Sequence, residues 1–150
     1  MNLGSQLGAA AMLVVVMALV HGLGVVGITK LLRLEDEALR AHRLDVVAFS
    51  LLMLMTFCLF ALHFFEIFLF ALFYLAVGAI DRLEPALYFS AAAYTTLGPP
   101  GPGFVAEWRL VGAFEGLIGF LLIGWSTAVF VTDMNKLLRA EVGTKDADDS

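Results

Sequence analysis

Two histidines and two glutamates stand inside long apolar stretches of this sequence: His21, His63, Glu66 and Glu115. An ionisable group in such surroundings is costly unless it has a partner, so we expect a functional or structural partner for the carboxylates of Glu66 and Glu115. His63 lies three residues before Glu66, which places both side chains on one face of a helix. Because histidine and carboxylate suit zinc or iron, His63, Glu66 and Glu115 are candidate metal ligands or members of a proton relay.

The two glutamates also have a structural interpretation, which the sequence favours over a metal site. Glu66 or Glu115 accepts a hydrogen bond from Tyr94 or Trp108 and braces the segment that carries Tyr94. In this interpretation the chain binds no metal and no other cofactor. The sequence shows no nucleophile with its base and no cofactor-binding loop, so it does not predict an enzyme.

The composition indicates the surroundings in which these residues act. The chain has 150 residues, of which 61% are hydrophobic and 15% are charged, whereas about a quarter of the residues of a soluble domain are charged. We therefore predict that the lipid bilayer is its solvent and its first partner. Much of the excess acid behind the net charge of -5 lies in the C-terminal tail. No basic surface for nucleic acid is present.

Three stretches are long and apolar enough to span a bilayer, at 7–32, 46–80 and 110–132. The sequence thus predicts an all-α integral membrane protein with three transmembrane helices. Basic residues follow the first and the third stretch, and the positive-inside rule places both of these segments in the cytoplasm. We expect an external N-terminus, a cytoplasmic C-terminus and a location in the cell membrane, most simply a bacterial inner membrane.

The connection between the second and third spans is too long and too apolar for a plain loop. Asp81 and Glu84 have the spacing of a capping box, and Pro85 is tolerated in a first helical turn. They predict a helix of about three turns that ends before the Gly/Pro-rich segment 97–103. Such a helix is too short to span the bilayer. It is either a re-entrant helix that leads into a loop lining a pore, or an interfacial helix under a surface loop.

The segment from Tyr88 to Gly98, YFSAAAYTTLG, resembles the pore helix and the start of the selectivity filter in the potassium channel superfamily. It is most similar to small bacterial channels with two helices around one pore loop, and the resemblance extends from about His63 to Ala128. It implies a re-entrant pore helix, a filter-like loop and, with one loop per chain, a homotetramer. It also implies passive conduction of a monovalent cation, in the first place K⁺, whose hydration shell is replaced by backbone carbonyls.

The filter pattern of that family is followed only in part. Residues 96–98 match its Thr, its Val or Leu, and its first Gly, but Pro99 replaces its Tyr, Pro100 its second Gly and Gly101 its Asp. Proline fixes φ at about -65° and restricts the residue before it, so an ordinary potassium filter cannot form beyond Gly98. The resemblance assigns these residues to the filter segment: Thr95, Thr96, Leu97, Gly98, Pro99, Pro100 and Gly101.

The last span carries two further features that concern a pore. Gly112, Gly116 and Gly119 form a stripe of small residues, which predicts close packing against the pore helix. Gly124 precedes Trp125, Ser126 and Thr127 and is either a gating hinge or a packing glycine.

With the resemblance, the chain divides into four parts. They are an N-terminal transmembrane helix at 1–33, a cytoplasmic linker at 34–45, an ion-channel-like pore module at 46–132 and a cytoplasmic acidic tail at 133–150. Two other functions stay open. One is a non-conducting channel homologue that acts as a membrane scaffold or partner subunit, and the other is a membrane-embedded His/Glu site for a metal or for protons. The sequence does not indicate any other protein partner.

Overall fold

The computed structural model describes residues 3–39, 44–98 and 108–148, with side chains described over 3–32, 46, 49–98 and 108–135. The described chain forms four helices: α1 (Leu3–Leu39), α2 (Leu44–Ala76), α3 (Leu83–Tyr94) and α4 (Arg109–Asp148). Three of these helices contain stretches long and apolar enough to cross a membrane: Leu3–Leu32, Phe49–Ala76 and Arg109–Asn135. The predicted all-helical class, with three helices able to span a bilayer, is confirmed.

Two helices continue beyond the stretches that hydropathy marks as spans. The interval 34–45, predicted to be a linker, is helical as far as Leu39, and α4 continues to Asp148 through the predicted tail. Both intervals contain Leu, Ala, Glu and Arg, which favour helix, among enough charged residues to make the interval polar. Hydropathy therefore indicates where a helix ceases to be apolar and does not indicate where it ends.

α2 ends at Ala76, before Ile80, because Gly78 adopts a left-handed conformation with φ of 67°. The N–H of Ala79 donates to the carbonyl of Tyr74 at 2.9 Å, and the N–H of Gly78 donates to the carbonyl of Leu75 at 3.1 Å. These two bonds form a Schellman motif, in which glycine avoids the steric cost of positive φ. The chain turns here and leads into α3.

α3 begins at Leu83, after Arg82 in an extended conformation, and its N-cap has no side-chain hydrogen bond. The capping box predicted from Asp81 and Glu84 is therefore not formed. Glu84 instead lies in the first turn, where the positive end of the helix dipole stabilises its carboxylate. With 12 residues, α3 is about 18 Å long, too short for a hydrocarbon core of about 30 Å.

The core lies where α1 and α3 each pack against both α2 and α4. The largest fully buried side chains are Tyr74, Tyr94, Phe70, Met17 and Met55. The glycine stripe of α4 faces α3, which confirms the close packing predicted for it. A Cβ at Gly119 would overlap the carbonyl oxygen of Tyr94, and one at Gly116 would lie 3.1 Å from the carbonyl oxygen of Ala93.

Candidate functional site

The buried carboxylate of Glu66, in α2, is the centre of a polar group inside the helix bundle. Its Oε1 lies 2.9 Å from Nδ1 of His21 in α1. Its Oε2 accepts a hydrogen bond of 2.5 Å from the Tyr94 hydroxyl of α3 and lies 3.2 Å from Nδ1 of His63. Because an ionised carboxylate only accepts hydrogen bonds, the Nδ1 atom of His21 carries the proton of its bond to Glu66.

Further contacts extend this group to α4. Nε2 of His21 lies 3.3 Å from Oγ of Ser126, and the ring of Trp125 lies against the His21 ring with centroids 5.3 Å apart. His63 Nδ1 lies 2.8 Å from the Tyr94 hydroxyl oxygen. We call this the Glu66 cluster, and its members are His21, His63, Glu66, Tyr94 and Ser126. All four helices contribute to it or pack on it.

A second buried carboxylate, Glu115 of α4, has its own partners. Its Oε2 accepts a hydrogen bond of 2.5 Å from the Tyr74 hydroxyl, and its Oε1 accepts one of 2.5 Å from Ser90 Oγ. The Ser90 hydroxyl also lies 2.8 Å from the backbone carbonyl of Ile67. This Glu115 cluster, formed by Tyr74, Ser90 and Glu115, joins α2, α3 and α4 through oxygen atoms alone.

The predicted grouping of His63, Glu66 and Glu115 needs a correction. Among the described residues, the group whose ligand atoms all lie within 4.8 Å of one another is His21, His63 and Glu66. Glu115 instead belongs to the separate cluster with Tyr74 and Ser90. His21 joins Glu66 because α1 packs against α2 at this level, and no spacing along the sequence indicates that contact.

The residues predicted to support the filter have different surroundings. Tyr94 bonds to Glu66, as described above, whereas half-buried Trp108 packs its ring edge-to-face on Phe73 with centroids 5.2 Å apart. Glu115 reaches α3 through Ser90, which was not among the predicted site residues. The signal for Ser90 was available, since it is a polar residue four positions before Tyr94 on the same face of an apolar helix.

The turn after α3, Thr95–Gly98, is exposed and left-handed at two of its residues. Thr96 has φ of 62° and Gly98 has φ of 86°, while Leu97 between them is not left-handed. A β-branched residue such as Thr96 rarely adopts positive φ, and the conformation costs about 1–2 kcal/mol. The N–H groups of the turn donate back into α3, from Thr95 to Ala91, from Thr96 to Ala93 and from Gly98 to Ala92.

The remaining predicted site residues are placed as follows. Pro99, Pro100 and Gly101 lie outside the described residues. Gly124 lies on an exposed face of uninterrupted helix α4, and a Cβ there would have no atom of the described part of the chain within 4 Å. Space around Gly124 therefore gives it no packing role of the kind seen at Gly119.

The two clusters differ in the chemistry that they can perform. The Glu66 cluster combines imidazole nitrogens with a carboxylate, a donor set that binds protons or metal ions. The Glu115 cluster offers a carboxylate and two hydroxyls, which suit structural hydrogen bonding across three helices. Comparisons of this chain with protein-family models, with curated proteins and with solved structures find no match.

Proposed function

We propose that this chain is the pore subunit of a homotetrameric membrane channel that conducts monovalent cations, in the first place K⁺. The observation that carries the proposal is the hydrogen bond from Tyr94, the last residue of α3, to Glu66. Glu66 lies ten residues before the end of α2 at Ala76, which is about 15 Å along a helix. That distance is about half of a hydrocarbon core. If α2 spans the bilayer, α3 returns into it and ends near the midplane, as a re-entrant pore helix does.

The exposure of the turn after α3 supports a pore made by several copies. In the single chain Thr95–Gly98 is exposed, and Leu97 is 84% exposed. Non-helical backbone at membrane depth is stable only where protein covers it or where it lines water. Four copies around an axis provide both conditions, because neighbouring chains cover one side of the turn and the central cavity hydrates the other.

The electrostatics of the turn favour a cation. The C-terminus of α3 carries the negative end of the helix dipole, and Thr96 to Gly98 follow it directly. Backbone carbonyls are the groups that replace the hydration shell of a permeating ion. Strained backbone is common at ligand-binding segments, and Thr96 with its φ of 62° is the one strained residue of this kind among the described residues other than glycine.

The proposed orientation follows from charge. Lys30 near the end of the first span and Lys136 after the third belong on the cytoplasmic side. The α2–α3 connection then faces the exterior, α3 enters the bilayer from outside, and the N-terminus is external.

Ion flux into liposomes tests the function. Purified protein is reconstituted, and K⁺ and Na⁺ fluxes are measured beside a variant that combines Pro99→Tyr, Pro100→Gly and Gly101→Asp. We expect the native chain to conduct and the variant to prefer K⁺ over Na⁺ more strongly. Conduction by the variant alone would instead support the non-conducting homologue, a scaffold or partner subunit. Failure of both to conduct would contradict a channel fold.

A further inference from the structure

We infer that His21, His63 and Glu66 form a binding site for a divalent transition-metal ion of the zinc type, buried behind α3. The site goes beyond the proposed channel function and does not depend on it. His21 and Glu66 are fully buried, and His63 is 18% exposed. Two imidazoles and one carboxylate are also the protein ligands of many zinc sites that keep one open position.

The spacing of the donor atoms fits one ion. Nδ1 of His21 lies 2.9 Å from one oxygen of Glu66, and Nδ1 of His63 lies 3.2 Å from the other. Ligands at about 2.0–2.1 Å from a tetrahedral zinc are about 3.3 Å apart. The two rings already face each other with centroids 5.3 Å apart, so an ion enters with small side-chain movements.

The protonation of the His21 ring is also compatible with a bound ion. An ion on Nδ1 displaces the proton that His21 now shares with Glu66, and the neutral ring then carries its proton on Nε2. Nε2 lies 3.3 Å from Ser126 Oγ, which accepts that hydrogen bond. A partner of this kind on the far nitrogen orients a metal-bound histidine and raises its basicity.

The Tyr94 hydroxyl lies next to the fourth coordination position of the ion. Its hydroxyl oxygen lies 2.8 Å from His63 Nδ1 and 2.5 Å from Glu66 Oε2. It either binds the ion or holds a water molecule that does. Since Tyr94 ends α3, the bound ion connects α1 and α2 to the start of the exposed turn.

The structure offers an access route from one side. A cavity of about 510 Å³ between α1 and α4 is lined by Lys30 and Asp133 at one end and by Trp125 at the other. The Trp125 ring lies against His21, so this side chain stands between the cavity and the site. The nitrogen donors select zinc, cobalt or nickel over Mg²⁺ and Ca²⁺, which prefer oxygen ligands.

Metal retention by the full chain tests this inference without reference to conduction. Protein in detergent is stripped with a chelator, incubated with Zn²⁺, freed of unbound metal and assayed by elemental mass spectrometry, with affinity measured by chelator competition. We expect a single Zn²⁺ per chain, weaker retention at mildly acidic pH, and no retention of Mg²⁺ or Ca²⁺. His63→Ala weakens binding by more than about 100-fold and Ser126→Ala by about 10-fold.

Matched variants separate a metal ligand from a structural residue. His63→Cys retains the metal, since a thiolate is also a zinc ligand, and its Co²⁺ form shows a sulfur-to-cobalt absorption band. Glu115→Gln, which changes a buried carboxylate outside the group, leaves affinity unchanged. The inference is overturned if the native chain retains no Zn²⁺, if His63→Ala retains it, or if His63→Cys loses it.

Discussion

Tyr94 of α3 and Glu66 of α2 are joined by a hydrogen bond of 2.5 Å in a fully buried position. Four residues earlier on the same face of α3, Ser90 bonds to Glu115 of α4. Two carboxylates from two different long helices therefore hold one short helix. A helix of 12 residues is marginally stable by itself, so these contacts and the glycine packing of α4 determine where α3 lies.

Removal of the Tyr94 hydroxyl is expected to destabilise the bundle. Tyr94→Phe takes one donor from the buried carboxylate of Glu66, and hydrogen bonds to charged groups contribute about 1.5–3 kcal/mol. Thermal unfolding in detergent, followed by circular dichroism, measures the loss. Tyr88→Phe is the matched control on the same helix, because Tyr88 is 62% exposed. Equal stability of the two variants would refute the role given to the Tyr94 bond.

Two glycines of α4 are expected to respond in opposite directions to alanine. A Cβ at Gly119 overlaps the Tyr94 carbonyl, which is backbone and cannot move aside, so Gly119→Ala costs about 1–3 kcal/mol or more. A Cβ at Gly124 meets no atom of the described residues within 4 Å, so Gly124→Ala stabilises the helix by about 0.5–1 kcal/mol. Unfolding midpoints of the two variants in the same detergent decide the matter. A loss of stability at Gly124 similar to that at Gly119 contradicts the packing described here.

The gating role proposed for Gly124 has a separate expectation. If α4 bends there, Gly124→Ala stiffens the helix and changes how often the channel opens, while its stability does not fall. Single-channel recording in planar bilayers measures the open probability. Unchanged opening in this variant would assign Gly124 no part in gating.

The proposed orientation is tested by cysteine labelling. In a Cys58→Ser background, Glu84→Cys in the first turn of α3 should react with a membrane-impermeant maleimide on intact cells, since Glu84 is exposed and faces the exterior in our proposal. Asn135→Cys, exposed at the far end of the third span, should react only after the membrane is permeabilised. The reverse labelling pattern would show that the topology is the opposite of the proposed one.

The sequence predicted those parts of the fold that depend on local composition. The three apolar helices and the short helix between the second and third follow from runs of apolar residues and from the Gly/Pro-rich segment. The stripe of Gly112, Gly116 and Gly119 correctly indicated close helix packing, because small residues at helical spacing have few other uses in an apolar helix.

Contacts between distant residues were beyond the reach of the sequence. His21 and Glu66 are 45 positions apart, and only the packing of α1 on α2 brings them together. The candidate grouping of Glu115 with His63 and Glu66 needed correction for the same reason. Depth in the membrane indicates the level of a residue but not which face of its helix carries the side chain. The missing capping box shows that spacing alone does not determine where α3 begins.

The most direct test of the central claim compares two glycines that both have positive φ but lie in different turns, Gly98 after α3 and Gly78 after α2. Gly98 and Gly78 have φ of 86° and 67°, and a Cβ at either has no atom of the described residues within 4 Å. Alanine at either position therefore introduces a similar backbone strain, which costs about 1–2 kcal/mol.

Liposome flux of K⁺ and Na⁺ is measured for the native chain, Gly98→Ala and Gly78→Ala, at equal amounts of folded protein. If the turn after α3 lines the ion pathway, Gly78→Ala conducts like the native chain. Gly98→Ala then lowers K⁺ flux or shifts the K⁺ to Na⁺ ratio by about tenfold, the change that corresponds to about 1.4 kcal/mol. Equal flux from both variants, at an unchanged ion ratio, would contradict a pore built on α3.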